Sequence, residues 1–302
     1  MVESVVLRIL DRSSVALDFP ALGFAGRAYN AFANLLNQPN GIILVTGPTG
    51  SGKTTTLYTA LSMLNTSERK IFTVEDPIEY QLPGINQIQV QPKIGLTFAA
   101  ALRSILRQDP DVIMIGEIRD LETAQIAVQA SLTGHLVLST VHTNSAAATV
   151  TRLLDMGVER YLLSACLKGV LAQRLVRRLC DQCAQPASEL PAFKPLFVTS
   201  NPADRHFRTP AGCPACRNTG FNGRTTVFEL LSMTESIRNA VHSAASEEAI
   251  ESAAIRDGMV SMHSCGMEKV LRGETTPEEV LRVTRFETCQ NSDTAPTAPP
   301  AR

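Results

Sequence analysis

The chain reads as an α/β protein built on a mainly parallel sheet wrapped by helices, and three observations carry that reading. A glycine-rich stretch at 47–54 sits between an apolar run, Ile42-Ile43-Leu44-Val45, and a run at 55–64 whose Leu57, Leu61 and Leu64 share one helical face. Downstream, strand-like and helix-like runs alternate, as they do when helices cross between parallel strands. The composition, 44% hydrophobic and 19% charged over 302 residues, is enough to bury a sizeable core in one large or two smaller domains.

The elements follow in order. Residues 2–10 read as a strand, and a loop with Asp11, Ser13, Ser14 and Asp18 leads to a helix over 26–36. Pro39-Asn40-Gly41 is a turn ahead of the strand that enters the glycine stretch. Residues 71–74 form a strand ending in Glu75-Asp76-Pro77, and Thr97 opens a helix running to about Gln108. Residues 112–115 are a strand ending in Gly116-Glu117; a helix over 121–132 and a strand over 136–138 come next. Helices are expected over 146–154 and 161–178. The segment 180–224, rich in Pro, Cys and Arg, reads as an inserted lobe, after which helices return. Thr276-Pro277-Glu278-Glu279 is a helix start, with Thr as cap, Pro at the first position and Glu at the third. From about 288 the chain is small, polar and proline-rich, so disorder is expected there.

Charge and hydropathy exclude several classes. Lys+Arg is 28 and Asp+Glu 29, so nothing suggests a surface that coats nucleic acid. No apolar run approaches the roughly 18 residues of a membrane span. Glu3 and Arg8 interrupt the first apolar stretch, which is therefore no secretory signal. A cytoplasmic protein is expected, one able to dock on a membrane complex.

Gly47-Pro48-Thr49-Gly50-Ser51-Gly52-Lys53-Thr54 matches G-x-x-x-x-G-K-[ST] at every fixed position. Its glycines let backbone N–H groups close around phosphate oxygens, and the following helix adds partial positive charge. In such a loop Lys53 reaches the β- and γ-phosphates of a nucleotide and Thr54 ligates Mg²⁺. Two acids follow strands at the ends where ligands bind in open α/β sheets. Glu117 is placed to hold Mg²⁺ through water or to position the attacking water, and Glu79 is the candidate general base, against a solvated loop acid. Asp109-Pro110-Asp111 falls at the wrong end of its strand for this chemistry. Arg8, Arg103, Arg107 and Arg119 are candidates for stabilising phosphoryl charge, against plain surface ion pairing. Arg103 and Arg107 share a helix face. His135 and His142 bracket a strand; each is a candidate γ-phosphate sensor, or simply hydrogen-bonded in place.

Four of the seven cysteines form two CxxC pairs, Cys180/Cys183 and Cys213/Cys216. Two such knuckles supply four thiolates for a closed, structural Zn²⁺ site. The alternatives are unligated thiols or a redox switch. Cys166, Cys265 and Cys289 read as core or tail residues.

Together these motifs resemble the secretion ATPases of the type II secretion and type IV pilus superfamily. The phosphate loop corresponds to that family's Walker A box. Thr73-Val74-Glu75-Asp76-Pro77-Ile78-Glu79-Tyr80 corresponds to its aspartate box, and residues 106–120 to its Walker B box. Thr133-Gly134-His135-Leu136-Val137-Leu138-Ser139-Thr140-Val141-His142-Thr143-Asn144 corresponds to its histidine box. The likeness continues through 171–180 and 223–231 to 278–284, covering nearly all of 2–286.

The resemblance implies a RecA-like P-loop NTPase core over 25–179, a tetracysteine zinc lobe over 180–224 and a C-terminal helical part over 225–287. It leaves 288–302 as a tail and 1–24 as a remnant of a preceding domain and linker, in which strand 5–10 would lack its sheet. It implies Glu79 as catalytic carboxylate, Glu117 as Walker B acid, and Arg8, Arg103 and Arg107 gathered around the triphosphate at domain or subunit interfaces. It implies a homohexamer on the cytoplasmic side of the inner membrane, working with a platform protein and membrane-anchored secretion proteins to drive pseudopilus assembly. A pilus-assembly ATPase, and a nucleotide- and zinc-binding module without motor activity, are the alternatives.

Overall fold

A computed structural model describes residues 17–187 and 206–284. Arg8, Cys289, the strand expected over 2–10 and the stretch from 288 onward lie outside the described residues. α1 (Gly26–Leu36) precedes β1 (Gly41–Thr46), whose six residues are all buried. α2 (Lys53–Leu64), β2 (Ile71–Glu75) and β3 (Asn86–Gln89) follow. α3 (Phe98–Ile105) starts at Thr97, whose hydroxyl accepts the Ala100 N–H at 3.2 Å, and runs into a 3₁₀ turn at Leu106–Gln108. Next come β4 (Val112–Ile115), α4 (Leu121–Leu132), β5 (Leu136–Val141), α5 (Ala146–Asp155), α6 (Arg160–Cys166) and β6 (Leu167–Leu179). Two short strands, β7 (Gln185–Pro186) and β8 (Arg208–Thr209), pair with each other. β9 (Phe221–Ser232) then leads to α7 (Glu235–His242), α8 (Glu247–Arg256), α9 (Met262–Leu271) and α10 (Pro277–Val283).

The main sheet runs β3-β2-β4-β5-β1-β6-β9, with every pairing parallel except β6 with β9. Alternation along the strands sorts side chains into two cores. Ile43 and Val45 join Leu57, Leu61, Phe32 and Leu36 beneath α1 and α2. Ile42 and Leu44 join Ile113, Ile115, Leu102, Ala127 and Val150 beneath α3, α4 and α5. The result is a sheet with helices on both faces, as expected.

Two expectations are overturned. Residues 161–178 do not form a helix: α6 ends at Cys166 and the chain extends at once into β6. Apolar residues at 167, 170, 171, 175, 176 and 179 mimic helical spacing. The first half of β6 is buried on both faces between β1 and β9, which removes the alternation that marks a half-exposed strand. The part after 224 likewise opens as a strand, β9, before helices return at Glu235.

Candidate active site and metal centre

β1 delivers the chain to the phosphate loop with its last residue, Thr46, still buried. At Gly47 a Cβ would lie 2.5 Å from the Gln173 carbonyl oxygen and 2.6 Å from Ser51 Oγ, so no side chain fits that turn. Gly52 takes the left-handed conformation (φ 88°) and starts α2 with no side-chain cap, leaving the helix's first N–H groups for an incoming anion. Lys53 Nζ donates to the carbonyls of Gly47 (2.8 Å) and Pro48 (3.1 Å). Burial holds the Lys53 pKa below its usual value, opposed by the nearby Glu117 carboxylate and reinforced by Arg174.

A cavity of about 730 Å³ opens over this loop at the carboxyl ends of β2, β4 and β5. Lys53, Thr54, Glu79, Glu117, Arg119 and His142 all line it. Glu117 follows β4 and is ion-paired with Arg119; His142 Nε2 lies 3.6 Å from its other oxygen. Of the three acids at the β2 end, Glu75, Asp76 and Glu79, all lining the cavity, the first and last differ in availability. Buried Glu75 accepts from Tyr58 Oη, from Thr73 Oγ1 (2.6 Å) and from Gln87 Nε2 (3.0 Å), so its carboxylate is committed to the fold. Glu79 sits farther along the loop, partly exposed to the cavity. Burial, with the Glu79 and Glu75 charges, pushes the neighbouring Tyr80 hydroxyl up to about 12.

The remaining candidates separate. His135 precedes β5 and lines a different cavity at the amino ends of the strands, with Asp109, Asp111 and Arg69. Its Nδ1 sits 2.8 Å from the Ala130 carbonyl and 3.2 Å from Thr133 Oγ1, which places it away from the phosphate loop. Strand direction is the reason: His142, at the far end of β5, is the histidine that reaches the loop. Arg103 pairs with Glu122 at 2.7 Å on the surface, and Arg107 is exposed on the turn after α3; neither lines the nucleotide-sized cavity. Two residues in or behind this site were not singled out from the sequence. Arg224 enters the cavity from β9, and Gln173 packs behind the loop from β6. Both depend on the antiparallel β6–β9 ribbon, which the helical reading of β6 hid.

The cysteines converge where that ribbon ends. Sγ separations are 3.9 Å for Cys180–Cys213, 3.8 Å for Cys183–Cys216 and 3.7 Å for Cys213–Cys216, and all four lie within 4.8 Å of one another. Sulfurs about 2.3 Å from a central zinc would sit about 3.8 Å apart at tetrahedral corners, so the donor set fits that ion. The backbone N–H groups of Cys213 and Gly220 each donate to Cys216 Sγ at 3.2 Å. Burial opposes ionisation of this thiol, but the two N–H groups prevail and hold its pKa down to about 6. Cys166 is buried and Cys265 partly buried, apart from this cluster.

Comparison with known proteins places the chain in a family. A family model described as Type II/IV secretion system protein matches residues 1–282. The chain is 57% identical over 286 residues to the Type II secretion system protein E of Xanthomonas campestris pv. campestris, covering 93% of this chain and 50% of that protein. It is 53% identical over 283 residues to the Type II secretion system ATPase E of Vibrio cholerae, covering 94% and 56%. It thus spans about half the length of the curated relatives it matches. Among solved structures, the pilus retraction motor PilT with bound ADP superposes with a TM-score of 0.69 at 30% identity, covering 93% of this chain and 70% of that one.

Proposed function

The chain belongs to the Type II/IV secretion system protein family, and on that premise we propose that it is the ATP-hydrolysing motor subunit of a type II secretion system. The observation that carries the proposal is the convergence of Lys53, Thr54, Glu79 and Glu117 on one cavity over an uncapped helix N-terminus. Identity above one half to type II secretion E proteins supports the secretion branch.

The loop amides and the start of α2 bind the triphosphate, and Lys53 leaves the Gly47 and Pro48 carbonyls for phosphate oxygens. Thr54 and Glu117 would hold Mg²⁺, which when bound neutralises phosphate charge. Glu79 takes the proton of the attacking water. Arg119 and Arg224, which both line the cavity, bring positive charge to the transferring phosphoryl group. His142 and Arg119 fix the Glu117 carboxylate between them. Arg103, Arg107 and Arg8 act at domain or subunit interfaces of a hexameric ring. The cysteine cluster holds a structural zinc. The ring works on the cytoplasmic side of the inner membrane, with a platform protein and membrane-anchored partners, to assemble a pseudopilus. No helix among the described residues is long and apolar enough to cross a membrane.

Steady-state hydrolysis by the purified chain, with and without Mg²⁺, tests the chemistry. Glu79→Gln is expected to lower kcat by about 10²–10⁴-fold with nucleotide binding retained, and Lys53→Ala to lose both. Binding without hydrolysis by the unaltered chain would support the nucleotide- and zinc-binding module instead.

A further inference from the structure

β6 outruns its neighbour. Thr46, the last residue of β1, pairs with Ala172, so Gln173 lies beside the point where the chain leaves the sheet as the phosphate loop. Gln173 is fully buried at 0% exposure and does not line the cavity. Its side-chain amide is used at both ends. Nε2 donates to the Ser51 carbonyl at 2.8 Å, and Oε1 accepts from the Thr56 hydroxyl at 2.9 Å. Its main-chain oxygen blocks any side chain at Gly47, and Arg174 holds that oxygen at 3.1 Å while also reaching the Asn144 carbonyl at 3.0 Å. One residue therefore fixes the entry of the loop, its last carbonyl before Gly52 and the first turn of α2.

We propose that Gln173 is a positioning residue for the phosphate loop: its amide keeps the loop's N–H groups aimed at phosphate, so that nucleotide affinity depends on a side chain that touches no nucleotide. The inference rests on reading the cavity as a nucleotide site. The chemistry demands an amide of this length. Glutamate has no N–H for the Ser51 carbonyl and would set a carboxylate against it. Leucine leaves both the Ser51 carbonyl and the Thr56 hydroxyl buried without this partner. Asparagine is one methylene short.

The test is titration of the full chain with ADP and Mg²⁺, beside thermal unfolding without nucleotide. Gln173→Glu is expected to weaken ADP binding by about tenfold or more, and Thr56→Val by about threefold. Thr56→Ser, which keeps the hydroxyl, restores the affinity. In hydrolysis assays the loss falls on KM more than on kcat. Gln173→Glu with unaltered ADP affinity, whatever its melting temperature, overturns the proposal. If that variant does not fold, equal affinities for Thr56→Val and Thr56→Ser overturn it instead. Failure of the unaltered chain to bind ADP is a different result: it removes the nucleotide reading itself.

Discussion

Glu279 shows how much one buried carboxylate can be asked to hold. It accepts the Arg177 N–H at 3.0 Å and ion-pairs with the Arg177 and Arg282 guanidinium groups at 2.7 and 3.0 Å. Burial alone would raise its pKa, but these donors pull it down to about 2. The unfolded chain titrates near about 4.3. The folded value is depressed, so the stabilisation is complete above about pH 4.3 and is lost as pH falls to about 2. Both arginines are roughly half exposed, and solvent screening reduces the contribution to about 1–2 kcal/mol. Glu279→Gln is expected to lose that much at pH 7 in denaturant titrations, with the gap from the unaltered chain narrowing between about pH 4.3 and 2. A gap independent of pH would remove the ionic account. At this scale the sequence was informative where chemistry is local. Lys53, Thr54, Glu79, Glu117 and His142 follow from a motif and a strand end, and all line one cavity. Gln173 and Arg224 carry no such signal, because their roles arise from a strand pairing rather than from their neighbours in the chain. Of the two readings of His135, hydrogen bonding in place is the one its Ala130 and Thr133 contacts match, because the box of residues spans both ends of one strand.

Helices are legible both with a side-chain cap, as at Asp120 before α4, and without one, as at Ala25 before α1. α1 and α4 match the expected residues end to end, and α10 begins with Thr276 accepting the Glu279 N–H as its pattern implies. β6 reads as a helix because a strand buried on both faces loses its two-residue period, and its leucines at 167, 171, 175 and 179 fall at four-residue spacings. β9 is obscured for a related reason, since its partner strand has helical spacing. That strand carries Glu229, which joins three elements. Its Oε1 accepts from Ala146 N at 2.8 Å and its Oε2 from Met262 N at 3.3 Å, the first residues of α5 and α9. Burial pushes the Glu229 carboxyl up in pKa despite both donors. Glu229→Gln keeps the shape but turns an NH₂ toward one of the two helix starts. The expected cost is about 1–3 kcal/mol, with faster amide exchange at the starts of α5 and α9. Unchanged exchange at both helix starts would refute the bridging role.

Across the whole molecule, the β6–β9 ribbon joins the two sites that the sequence presents as separate motifs. At one end Gln173 braces the phosphate loop, while Leu175 and Arg224 line the cavity. At the other, Cys180 N donates to the Gly220 carbonyl at 2.9 Å, and Leu179 N to the Glu274 carbonyl at 2.9 Å, beside the cysteine cluster. The two ends are supported differently. Residues 169–172 are paired with β1 on one side and β9 on the other, whereas beyond Gln173 the strand has β9 as its sheet partner. The small core of Met267, Val270 and Val280 adds little apolar area near that end. Metal ligation is therefore expected to stabilise the cysteine end far more than the loop end. Elemental analysis should find one zinc per chain, and Cys216→Ser should abolish it. After chelation, amide exchange is expected to rise across 180–187 and 206–220, with 169–173 still protected and ADP binding retained. Loss of protection at 169–173 as well would mean that the ribbon responds as one rigid unit. The sheet pairing argues against that, because β1 grips one half of the strand and leaves the other half to the cysteines.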